Sequence, residues 1–245
     1  MKYHRIFITG LFIAFITLNG PSAVAGIDDF LKGIKKAVGL SGGLSEGKII
    51  EGLKEALQIG TGNAVKMVSR MDGYNKNPKI RIPLPAGVQK VEKFLKAVGY
   101  GAQVDAFELS MNRAAEKAAP EAKAILWDTI KQISFVDARK ILEGRDNEAT
   151  LYFKDKTEGK LGQLFKPIIH SAMSQVGVTR KYQELENRAK SIPFAKMMSL
   201  DLDQYVNDRA LDGLFFMLAE EERKIRTDPA ARVTDLLKDV FGSQR

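Results

Sequence analysis

Apolar residues recur every three to four positions along most of the chain, the spacing of helices that bury one face. The clearest case is "VDAFELSMNRAAEKAAPEAKAI". Val104, Phe107, Met111, Ala114, Ala115, Ala118 and Ile125 fall within an arc of roughly 100° when each residue turns about 100°. The alanines keep part of that face small, so a neighbouring helix can come close. Pro120 interrupts the run, because it lacks an N–H and clashes with the preceding turn. It fits better in the first turn of a new helix, "PEAKAILWDTIKQI".

Other helices are punctuated in the same way. Ser134 and Asp137 stand at capping-box spacing, with Asp in place of the usual Glu. Ser45 is placed to cap "EGKIIEGLKEAL". Asp228 and Pro229 are placed to open a terminal helix that Gly242 closes. One stretch breaks the pattern. In "DGYNKNPKIRIPLP", residues 72–85, glycine, asparagine and three prolines predict a loop. Its "KIRI" alternates and could form a short strand, but one strand makes no sheet. The expected fold is all-α, a multi-helix bundle with this one long irregular loop.

Two stretches resemble each other. Val98, Gly99, Val104, Phe107 and Glu108 match Val176, Gly177, Tyr182, Leu185 and Glu186 in order and spacing. "NRA" recurs at Asn112 and Asn187, and "P-x-A-K" at Pro120 and Pro193. The spacing then shrinks, so the expectation is two loosely duplicated helical halves, residues 88–157 and 166–224, and not a strict solenoid.

The first 25 residues read as a secretory signal peptide. "MKYHR" is a positive start, "IFITGLFIAFITL" is apolar, and Ala23-Val24-Ala25 is a small-residue cleavage site. Processing would leave Gly26 first. Residues 26–43 read as a short amphipathic helix and a flexible glycine-rich join, and residues 44–245 as a single domain. No later apolar run is long enough to span a bilayer, so the expected product is periplasmic or secreted, without a transmembrane segment.

Charge and composition narrow the chemistry. The chain carries +8, and loss of Lys2 and Arg5 would reduce this to +6. A modest positive balance favours anionic surroundings such as a membrane surface. It offers no concentrated basic stripe for nucleic acid. Cysteine is absent, which excludes disulfides and a thiol nucleophile. His4 and His170 are the only histidines, so a Ser-His-Asp site would have to use His170, and a His-rich zinc site cannot be built.

The stretches "NPKIRIPLP", "ELSMNRAAEKAAPEAK", "ALDGLFFMLAEEERKIR" and "DPAARVTDLLKDVFG" closely resemble the bacterial DUF4197 family. The resemblance covers nearly all of the chain from Gly43 onward. It implies an exported, predominantly helical protein, and it implies no activity and no catalytic residues.

Candidate sites are few. Asp105, Glu108, Asn112 and Glu116 share one helical stripe, flanked by Arg113 and Lys117. Paired carboxylates can do acid–base work or hold a hard cation. The plainer expectation is a solvated face of i,i+3 and i,i+4 pairs. Asp212 sits in "ALDGLFFMLAEEE", which is apolar nearly all round, so it is expected to be buried and paired with Arg209, Arg113 or a helix N-terminus. "EEERKIR" should be an exposed, self-pairing helix end. Trp127, Phe215 and Phe216 should be core, and His170 structural or exposed. Gly60, Gly62 and Asn63 lack the strand and the Gly-Lys-Ser/Thr of a phosphate loop.

In the irregular loop, Tyr74, Asn77, Lys79 and Arg81 are the residues for partner contacts, because a long ordered loop commonly has a purpose. The leading expectation is a non-catalytic, envelope-associated binding or accessory protein, whose partner is an envelope protein or an anionic membrane surface. The alternative is a small-molecule or lipid binder with a pocket between the halves. An enzyme using carboxylates ranks third. No metal and no cofactor is expected.

Overall fold

The computed structural model describes residues 46–175, 201–228 and 234. They belong to a compact unit spanning Leu44–Arg245. The stretch read as a signal peptide, the 26–43 join, Ser45, residues 176–200 of the second half with Gly177, and the terminal helix expected after Asp228 lie outside the described residues. So does the comparison of the two halves that would need them.

The chain is all-helical, as its periodicity predicts. The long helices are α1 (Glu46–Ser69), α2 (Ala86–Leu95), α3 (Gly101–Ala118), α4 (Ala122–Lys131), α5 (Phe135–Glu143), α6 (Glu148–Gln175) and α7 (Leu202–Thr227). A π turn, Lys96–Tyr100, joins α2 to α3, and a 3-10 turn, Ala119–Glu121, carries Pro120 between α3 and α4. Gly99 makes the α2–α3 corner with φ of 94°, a left-handed conformation that favours glycine. Ser134 and Asp137 form the expected capping box at the start of α5.

α6 and α7 pack against each other, α1 lies against α7, and α3 lies against α6. Val104, Phe107, Met111, Ala114, Ala115 and Ala118 of α3 are all buried, as their arc requires. Phe107, Phe153, Phe165, Leu126 and Ile130 are among the largest fully enclosed side chains.

The 72–85 stretch is irregular, as its prolines and glycine predict, and no strand occurs among the described residues. Three expectations are corrected. Phe215 is core, but Phe216 is 38% exposed. Trp127 is only half-buried. The "EEERKIR" end is not simply exposed, because Glu221 and Glu222 are buried. Glu222 accepts hydrogen bonds from the backbone N–H groups of Ala149 and Thr150, both at 2.9 Å, and from the Thr150 hydroxyl at 2.8 Å. It thereby caps the N-terminus of α6, where unpaired amides and the helix dipole favour an anion.

Candidate functional site

Residues 70–85 cross the bundle as a strap, and α3 and α7 hold it. Ile80, Ile82, Leu84 and Pro85 are buried, while Arg81 and Pro83 are exposed. This is the two-residue alternation of a strand, docked on helices. Asn112 supplies what a neighbouring strand would have supplied. Its Oδ1 accepts from the Ile82 N–H at 2.8 Å, and its Nδ2 donates to the Ile82 carbonyl at 2.9 Å. The side-chain amide thus satisfies both the N–H and the carbonyl of Ile82, as a neighbouring strand residue would.

Glu116 holds the other end. It accepts the Tyr74 N–H at 3.1 Å, the Asn75 N–H at 3.2 Å and the Arg113 guanidinium at 2.6 Å. Arg113 also donates to Asp72 at 2.6 Å. Hydrogen bonds from Lys76, Asn75 and Arg113 hold the Asp72 carboxyl well below its ordinary range. Bonding to Glu116 raises the Arg113 guanidinium further.

The polar row is therefore no solvated face. Asn112 is fully buried and Glu116 is 5% exposed. Glu108 is largely covered and pairs with Arg81 at 3.1 Å. Asp105 alone of the four is well exposed, and it pairs with Lys96. The expectation failed because a segment of the same chain lies over the stripe.

The residues expected to meet a partner are also engaged. Tyr74 is fully buried, and its hydroxyl donates to the Ala210 carbonyl at 2.6 Å. Burial and the charge of Glu116 push that phenol far above its usual range. Its ring lies where a Cβ on Gly213 would be, 2.6 Å from the Tyr74 Cε1, so α7 needs glycine there. Asn77 donates to the Met217 sulfur, and Lys79 pairs with Glu220 at 3.0 Å. Arg81 remains half-exposed while paired with Glu108.

Asp212 is the clearest correction. Its side chain is 56% exposed, and its nearest cations, Arg209 and Lys154, stand at 3.9 and 4.0 Å. It lines an open cleft of about 510 Å³ between α6 and α7. Gly159 and Gly162 on α6 and Asn207 on α7 are among its lining residues, and Gly162 lies beside Asn207. Asn207 is 3% exposed, and its Oδ1 has no hydrogen-bond partner. Sequence reading missed these three residues. The available signal was "TEGKLGQLFKP", two glycines and a proline inside a helical pattern, each unfavourable in a helix interior by about 1 to 3 kcal/mol. His170 is exposed and pairs through Nδ1 with Asp203 at 2.6 Å. No cluster of three His, Asp or Glu side chains that could hold a metal occurs among the described residues.

No curated protein and no solved structure matches the chain. One family model does, that of the protein of unknown function DUF4197, over residues 43–242. The chain whose polar row clamps its own strap belongs to the DUF4197 family.

Proposed function

We propose that this is a non-catalytic accessory protein of the bacterial envelope that docks on an anionic membrane surface. The observation that carries the reading is the corner between α2 and α3. Phe94 and Val98 are each 50% exposed there, and Lys90 and Lys93 are exposed beside them. A Cβ on Gly99 would meet nothing within 4 Å, so the corner stands open. Large apolar side chains ringed by lysines suit insertion among headgroups, with the ammonium groups held at anionic lipids. The overall positive charge favours the same surface. The signal-peptide reading of residues 1–25 supports the compartment. Of the carboxylates first considered for catalysis, Glu108 and Glu116 are occupied in holding the strap, which favours a binding role over an enzyme.

Sedimentation with vesicles tests the proposal. The mature chain should pellet with phosphatidylglycerol vesicles and not with phosphatidylcholine vesicles, and added salt should release it. Phe94→Ser with Val98→Ser should abolish pelleting while the melting temperature stays unchanged. Equal recovery on both vesicle types, or on neither, would overturn the reading.

A further inference from the structure

A pocket of about 440 Å³ opens where α1 runs into the strap, and it carries an inference independent of the membrane reading. Three methionines line it, Met67 of α1, Met71 just beyond that helix, and Met217 of α7. Packing alone does not account for them. Met71 is 79% exposed, more than any other large apolar side chain among the described residues. Met67 is half-buried. Met217 is buried, and its sulfur accepts from the Asn77 Nδ2 at 3.6 Å. Asn77 lines the same pocket, so the Met217 thioether stands at its wall. The other methionines described, Met111 and Met173, are ordinary core residues, each fully enclosed.

Carbonyl oxygens converge at the same place. Gly73 lines the pocket, and an added Cβ there would lie 2.5, 2.6 and 2.9 Å from the carbonyl oxygens of Met67, Val68 and Arg70. They belong to the C-terminal end of α1, the negative end of its dipole, which favours a cation. The charged lining decides which cation. Asp72 is the one carboxylate that lines the pocket, and it already meets Arg113 at 2.6 Å and Lys76 at 2.8 Å. Arg70 and Lys76 also line the pocket. A hard dication would find too few anionic oxygens and too much positive charge. A soft monovalent ion meets less repulsion, and neutral thioethers are the ligands that suit it. The chain has no cysteine, so no thiol competes for such an ion.

We propose that this pocket binds a soft monovalent metal ion of the copper(I) class through the thioether sulfurs of Met67, Met71 and Met217. Thioethers select such an ion from the harder metals. Asn77 orients the Met217 sulfur, while the unbranched side chains of Met67 and Met71 are flexible enough to close on the ion.

Silver(I) is the probe, because it has the same ligand preference and needs no reductant, and zinc(II) is the control. Both are added as nitrates in chloride-free buffer to the chain labelled at its methionine methyl groups. In nuclear magnetic resonance spectra the Met67, Met71 and Met217 methyl signals should move together with silver(I), while those of Met111 and Met173 stay in place. Zinc(II) should move none of them. Met71→Leu and Met217→Leu nearly conserve side-chain volume, so each should hold the melting temperature. Each should also weaken silver(I) binding by about tenfold or more, read from the remaining methyl signals. His170→Gln should leave the shifts unchanged, since that imidazole lies on α6 against Asp203. Three results would overturn the proposal. They are movement of Met71 alone, which marks an adventitious surface thioether, equal movement with zinc(II), or unchanged silver(I) affinity in Met217→Leu.

Discussion

Asn112 pairs a peptide group that no strand reaches, and Glu116 gathers two backbone amides and a guanidinium at one carboxylate. Removing Asn112 strands the Ile82 N–H and carbonyl, and removing Glu116 strands two backbone N–H groups and the Arg113 guanidinium. Asn112→Ala and Glu116→Ala should each cost about 2–4 kcal/mol, because each strands more than one group. Asp212→Ala should cost less than about 1 kcal/mol, as exposed ion pairs do. Thermal melts of the three variants check this order, and a neutral Asn112→Ala would sink the account of the strap. Asp72 adds a pH dependence. Its carboxyl is held below its ordinary 3.8, so its contribution is complete above that value and is lost as pH falls below it. Asp72→Asn keeps a residue tolerant of the φ of 64° found there. It should flatten the loss of stability below about pH 4, as read by acid titration of the melting temperature. At this scale the polar stripe was legible, but its cover was not, since Ile82 lies 30 residues and Tyr74 42 residues from the groups that hold them. Asp212 misled because its sequence neighbours are apolar. Its helical neighbours Asp208, Arg209 and Phe216 instead form one exposed stripe of α7.

The strap is an element in its own right, although it has no regular secondary structure. Its alternation was visible in "KIRIPLP", and the structure keeps the inward set Ile80, Ile82 and Leu84. That alternation makes no strand for a physical reason. Pro83 and Pro85 cannot donate to a ladder, and one side-chain amide replaces the partner strand. The same strap explains Gly213 inside α7, where glycine ordinarily weakens a helix. A methyl at that position would press on a Tyr74 ring that cannot retreat, because its hydroxyl is fixed to Ala210. Gly213→Ala should therefore destabilise by about 1–3 kcal/mol, against the gain that Gly→Ala ordinarily gives in a helix. Urea midpoints decide the sign. A stabilised Gly213→Ala would mean that the ring can move aside and that the strap is looser than its bonds imply.

Across the whole unit, helix positions and stops were legible because periodicity and caps are local. Their mutual arrangement was not, because buried side chains at the end of α7 set it. Glu222 caps α6, Glu221 receives Asn63 from α1 at 3.2 Å, and Arg226 donates to the Ile141 carbonyl of α5 at 2.7 Å. The last two turns of α7 thus tie three other helices, using the charges expected to be a solvated end. The tie should make the unit unfold as one. Trp127 is the single tryptophan, placed on α4, where α1 and α6 pack. It reports on a region that Glu222 does not touch. Glu222→Ala uncaps α6 and leaves Arg226 without its carboxylate, a loss of about 2–4 kcal/mol. In urea, the Trp127 fluorescence and the helical circular dichroism of this variant should move together to a lower midpoint, with the slopes unchanged. If the fluorescence midpoint stays in place while the dichroism falls, α7 frays alone, and the bundle is held by its α1–α4–α6 contacts without it.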